Sequence, residues 1–110
     1  MLRDLFPTSA DLPAVTITRI QEEVCERFGL SVDELVSARR SQAVSYPRHV
    51  AMYLSRELTD ASLPKIGKEF GGRDHTTVMH ATSKITRLIS EDRSVYNLVQ
   101  DLTARIKQGR

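Results

Sequence analysis

An all-α fold, a compact bundle of helices around one core, is what this sequence predicts, and three observations carry the prediction. Apolar residues recur at helical spacing in several separate stretches, whereas nowhere do apolar and polar residues alternate over the length of a strand. Ser, Thr or Asp tends to precede those stretches and Gly to follow them, which are helix start and stop signals. Aromatics make up 5% of the chain and Trp is absent, so the core must be built from Leu, Ile, Val and Ala. A chain of 110 residues suffices for one domain with one core.

The first fourteen residues hold a short apolar patch, Leu2-Arg3-Asp4-Leu5-Phe6-Pro7, and then the turn-rich Thr8-Ser9-Ala10-Asp11-Leu12-Pro13. Two prolines this close forbid a long helix, so residues 1–15 read as a brief helix or extended arm, either a linker from a longer chain or an ordinary frayed terminus, and residues 16–110 as the folded domain. Thr16 to Phe28 is the first expected helix, with Ile17, Ile20, Val24 and Phe28 on one face and Gly29 as its stop. Cys25 borders that face as a small packing residue. Being the one cysteine, it excludes a disulfide framework and a Cys-rich zinc site. Ser31 followed by Glu34 has the capping-box spacing and opens a second helix of a turn or two, ending near Val36.

Ser37-Ala38-Arg39-Arg40-Ser41-Gln42-Ala43 is a basic loop without periodicity. It reads either as a solvated surface loop or as an arm whose guanidinium reaches into a narrow, A·T-rich minor groove. The next helix is expected from about Ser45 to Leu58, with Pro47 in its first turn. Pro47, Val50, Ala51, Leu54 and Leu58 share one arc, and Arg48, His49, Met52 and Arg56 the opposite one, expected to face outward. Arg48 and Arg56 lie about 12 Å apart along the axis, far enough to hold separate phosphates.

Ser62 to Arg87 is the stretch around which the chain is organised. Ser62 can cap a helix, Pro64 suits its opening turn, and Gly71-Gly72 offers the positive-φ positions that end it. Asp74 can cap a second helix that begins with His75, Thr76 and Thr77. Val78, Ala81, Ile85, Leu88 and Ile89 form its core face, while Thr76, His80, Ser83 and Arg87 lie opposite with Lys84 on the shoulder. A short helix, a glycine turn and a capped second helix make a helix-turn-helix, in which the second helix enters the DNA major groove. The last helix is expected from about Arg93 to Lys107, packing through Val95, Leu98, Val99, Leu102 and Ile106, with Asp92 or Ser94 as its cap.

The formal charge is only +2, but residues 37–87 carry nine Lys and Arg against four Asp and Glu, the footprint of a polyanion binder. No apolar run approaches a membrane span, and the start shows no signal-peptide pattern, so a soluble cytoplasmic protein is expected. His75 and His80 are five positions apart on a helix and diverge, which speaks against a metal site. Gly67-Lys68 is followed by Glu69 and lacks the earlier glycine of a phosphate loop. Without a catalytic constellation, the chain is expected not to be an enzyme and to hold no cofactor.

Taken together, Ser37-Ala38-Arg39-Arg40-Ser41, Tyr46-Pro47-Arg48-His49, Ala51-Met52-Tyr53-Leu54, Glu57-Leu58-Thr59, Ser62-Leu63-Pro64-Lys65-Ile66-Gly67 and Phe70-Gly71-Gly72-Arg73-Asp74-His75-Thr76-Thr77-Val78 resemble the C-terminal DNA-binding domain of the bacterial replication initiators, the DnaA family. The resemblance covers about Thr16 to Ile106 and implies a Trp-repressor-like helix-turn-helix bundle that binds A·T-rich initiator boxes at the replication origin. It implies that residues 2–13 connect to a preceding ATPase module, where ATP and Mg would be bound. It places Asp74, His75 and Thr76 at base edges, Thr77 at a phosphate, and Leu63 and Pro64 against the DNA. Arg40 becomes the minor-groove reader, Arg48, His49 and Arg56 backbone contacts, and Lys84 a further phosphate contact. Such residue types suit those tasks, since Asp accepts from a cytosine amino group, a Thr methyl packs on a thymine methyl, and His donates to guanine. His49 departs from the Gln common in the family and is a shorter, pH-sensitive donor. The expected partner is double-stranded DNA, bound by a monomer associated with the nucleoid. The alternative is a basic module that docks a replication-regulating protein or acidic phospholipid.

Overall fold

The structure is a computed structural model that describes residues 15–108. Of the expected linker over residues 1–15, only Val15 is among the described residues. Six helices follow in order among the described residues: α1 (Ile17–Phe28), α2 (Val32–Leu35), α3 (Gln42–Leu58), α4 (Leu63–Glu69), α5 (His75–Glu91) and α6 (Arg93–Lys107).

Most boundaries obey the local signals. Thr16 caps α1 by accepting from Arg19 N at 3.1 Å, and Gly29 ends it at φ 70°. Both halves of the Ser31 and Glu34 capping box form at the start of α2. Asp92 caps α6, its carboxylate accepting from Ser94 N at 2.9 Å.

One boundary departs from expectation. Helix α3 begins at Gln42 rather than near Ser45, so Pro47 lies inside it and not in its first turn. The Ser41 carbonyl accepts from both Val44 N and Ser45 N, so the helix is already wound before the proline arrives. Pro47 forgoes only the bond to the Ala43 carbonyl, and Ala43 is exposed, where water can replace the missing donor.

The second departure concerns the environment of α3. This helix packs against each of the other five and is buried on most of its circumference, including Val44, Pro47, Val50, Ala51, Met52, Leu54 and Ser55. The arc expected to face outward is therefore largely covered: Met52 is 0% and Arg48 4% exposed. Helix α5 and the end of α2 lie across it, so its polarity reflects local bonding rather than solvation.

The core collects the stripes of all six helices, including Ile20 and Val24 from α1, Leu35 from α2, Val50 and Leu54 from α3, Ile66 from α4, Val78 and Ile85 from α5, and Leu102 and Ile106 from α6. Each such side chain stabilises the fold by about 1.5 to 3 kcal/mol through removal of apolar area from water. Phe70, fully buried at the end of α4, anchors the helix-turn-helix to this core. On the α1–α6 seam, Arg27 pairs with Asp101 at 2.9 Å, and the buried Glu23 meets Arg19 at 3.0 Å and Arg105 at 3.5 Å.

Candidate nucleic-acid interface

The two helices of the central unit meet because one residue has no side chain. Gly67 is buried in α4, and a Cβ there would stand 2.0 Å from the Arg73 carbonyl oxygen. Its own carbonyl accepts from Phe70 N, Gly72 N and Arg73 N, the last at 2.9 Å, which closes the turn onto the end of α4. Gly71 and Gly72 hold φ 90° and 79°, so the chain reverses at low steric cost.

Asp74 then opens α5. Its Oδ1 accepts from Thr77 N at 3.0 Å and Thr77 Oγ1 at 3.1 Å, and these bonds hold its carboxyl below the usual carboxylate range. The carboxylate offered to a base edge in the sequence reading is thus also the helix cap. His75, Thr76 and Thr77 are all exposed on the first turn, with His80, Ser83, Lys84 and Arg87 exposed further along. Val78, Ala81 and Ile85 are buried on the opposite side, and Leu88 and Ile89 partly so, as the helical wheel requires.

The basic loop is not free chain. Helix α2 has one turn, and the carbonyls of Leu35, Val36 and Ser37 at and just past its end accept no backbone N–H among the described residues. Arg48 Nε donates to Leu35 O at 2.7 Å and its Nη2 to Ser37 O at 2.9 Å. Arg73 reaches the same place from the other side: Nη2 donates to Ser37 O at 2.7 Å, and Nη1 to Val36 O at 3.4 Å and to Phe70 O. Burial lowers the pKa of both guanidiniums, and Arg73 beside it lowers that of Arg48 further. The expected outward Arg48, paired with Arg56 as two free phosphate grips, is corrected accordingly. Arg48 is drawn inward because two carbonyls at the end of a short helix need donors.

Between this loop, α3 and the start of α5 lies a concavity of about 500 Å³, whose lining includes Arg40, Arg48, His49, Arg73 and Thr77 and no carboxylate. The structure therefore brings together residues from three separate stretches of the chain. His49 is half-buried, and its Nδ1 has no hydrogen-bond partner among the described residues. Burial, then Lys84, Arg48 and Arg73, lower its pKa from 6.5. Arg40 is exposed at the rim.

Other residues singled out in the sequence lie outside this concavity. Leu63 is half-buried against the core and Pro64 exposed, both in the first turn of α4. Arg56 is exposed and lines a separate shallow groove between α3 and α5 with Arg87, Ser83 and Glu57. Arg73 is the residue that sequence reasoning left without a role. Met52 was the available signal, because an apolar residue on the supposedly outward arc of α3 implies that something covers it. Among the described residues no group of three or more His, Cys, Asp and Glu is placed to hold a metal, and no helix is long and apolar enough to cross a membrane.

Comparison with known proteins bears on the family and the helical fold. The family model for the bacterial DnaA protein helix-turn-helix matches residues 17–85. The chain is 52% identical over 108 residues to the chromosomal replication initiator protein DnaA of Cutibacterium acnes, spanning 98% of this chain but only 21% of that protein. A crystal structure of a DNA replication initiation factor superposes with a TM-score of 0.76 at 31% identity, over 84% of this chain and 28% of that one. A matched helix-turn-helix, a relative sharing half its residues and a common fold lead to one conclusion: this chain belongs to the bacterial DnaA helix-turn-helix family.

Proposed function

We propose that this chain binds double-stranded DNA sequence-specifically, at A·T-rich boxes of a bacterial replication origin. The start of α5 enters the major groove and Arg40 the adjacent minor groove. One observation carries the reading: the exposed first turn of α5 stands beside a carboxylate-free, cation-lined concavity, so hydrogen-bonding side chains and positive charge face the same side. A major groove about 12 Å wide admits a helix, and α5 offers His75 and Thr76 where base edges lie. The N–H groups at the start of α5 that Asp74 leaves free, and Lys84, suit phosphate oxygens, and Thr77 joins them when its hydroxyl turns from Asp74 to the phosphate. Leu63 and Pro64 on α4 suit the adjoining sugar-phosphate wall, and Arg56 the backbone further along.

Asp74 accepts from a cytosine amino group through the carboxylate oxygen that the cap leaves open. His49, in the concavity, donates to the backbone beside it, while Arg48 stays bonded to Leu35 O and Ser37 O and adds positive charge to the concavity rather than a phosphate grip. The name of the relative, a chromosomal replication initiator, supports the origin as the target.

Selection of bound duplexes from a random pool at near-physiological salt, followed by titration of the selected box and a scrambled duplex, tests the reading. The box should bind tighter than scrambled duplex by at least about a thousandfold, with affinity falling as salt rises. Equal affinity for both duplexes overturns it and leaves the docking of a protein or acidic lipid as the better account of the basic face.

A further inference from the structure

Arg73 sits at the junction of the two features that the proposed interface needs. Its backbone is fixed, because its N–H donates to Gly67 O at 2.9 Å and its carbonyl occupies the space where a Gly67 Cβ would be. The next residue, Asp74, is the cap of α5. From this fixed point the guanidinium spans to Val36 O and Ser37 O at the root of the loop that carries Arg40, while also closing on Phe70 O. The glycine turn is shaped around this link: a Cβ on Gly71 would stand 2.3 Å from Val36 O and 2.8 Å from Arg73 Nη1. Few residues could do this. A planar fork with five N–H donors can serve three carbonyls at once, whereas an ammonium on a flexible stem cannot hold the same geometry.

We propose that Arg73 is a positioning residue that sets the distance between Arg40 and the first turn of α5, so that the minor and major grooves are read as one unit. The inference rests on the DNA-binding reading above. It assigns Arg73 no contact with DNA. Its influence on the site passes through Val36 and Ser37 to the loop, and removing it should change what Arg40 reads rather than remove a phosphate grip.

The test is a double-mutant cycle on the selected box and on a version whose A·T pairs facing Arg40 are replaced by G·C. Wild type should prefer the A·T form, and Arg40→Ala should lose that preference. Arg73→Gln should lose it too, by roughly threefold to thirtyfold, and the double variant should lose little more than either single one. Arg73→Lys keeps the charge but not the fork and should behave like Arg73→Gln. Amide exchange of residues 38–41, measured in the Lys variant without DNA, should be faster than in wild type while the core of α3 stays protected. Additive losses in the cycle, or full rescue of the preference by Lys, would overturn the positioning role while leaving DNA binding intact. A wild type indifferent to the two box versions would instead sink the minor-groove reading on which the inference stands.

Discussion

Arg48→Ala separates two accounts of a basic helix residue. If Arg48 were simply an outward phosphate contact, the substitution would weaken binding to every duplex and leave the free protein as stable as before. The structure predicts otherwise. Arg48 donates 2.7 and 2.9 Å bonds to Leu35 O and Ser37 O from a site that is 4% exposed. Ser37 O keeps Arg73 as a donor after the substitution, but Leu35 O is left without a side-chain donor. An unsatisfied buried carbonyl costs about 1 to 3 kcal/mol, and the guanidinium's own burial cost, which the substitution relieves, keeps the net near the lower half of that range. For a domain of this size each kcal/mol moves the melting temperature by about 4 to 8 °C, so Arg48→Ala should melt roughly 5 to 15 °C below wild type. Circular dichroism melts without DNA, at fixed pH and salt, read this directly. A variant melting within 2 °C or so of wild type would show that those carbonyls are content with water and that the inward assignment is mistaken.

Four further outcomes follow from the same geometry. Thr76→Ala should cost about 1 to 3 kcal/mol on the selected box and relax discrimination at one base pair, whereas uniform loss across all duplexes would remove its base-reading role. Arg56→Ala, at an exposed cation, should weaken selected and scrambled duplexes alike and reduce the slope of log affinity against log salt by about 0.9; an unchanged slope counts against a phosphate contact. Gly67→Ala places a Cβ 2.0 Å from a backbone oxygen that cannot move without shifting the cap of α5, so it should lower the melting temperature sharply and abolish box binding; wild-type melting would contradict the close approach. His49 has a folded pKa below its unfolded value of 6.5, so the unfolded chain binds the proton first. Stability should then fall as pH drops from about 7 toward the folded pKa. In His49→Gln that slope should be smaller when denaturation is compared at pH 7 and pH 5, and equal slopes would refute the burial of a neutral imidazole.

The turn and the loop explain why small changes at a distance could alter recognition here. Residues on three chain segments line one concavity, and their spacing depends on guanidinium bonds to backbone carbonyls at the end of a one-turn helix. Such a helix is too short to hold its own terminus, because nucleation costs more than a single turn returns. The surrounding fold must do so, and it does so through Arg48 and Arg73.

What the sequence by itself determined is everything governed by near neighbours along the chain. The caps at Ser31, Ser62 and Asp74, the positive-φ glycines at 29, 71 and 72, and the apolar stripes of α1, α5 and α6 are bonds and periodicities spanning a few residues. They show in the letters, and so does the family, because its signature is a local string. Tertiary structure alone decided which way the polar arc of α3 faces. A helical wheel ranks arcs by polarity but carries no information on what lies across them. With α5 and the end of α2 packed there, Met52 is enclosed, Arg48 becomes a donor to backbone 11 and 13 residues away, and Arg73 one to backbone 36 and 37 away. Carbonyl groups are the same at every position, so no pattern of side chains announces which of them a distant guanidinium will satisfy.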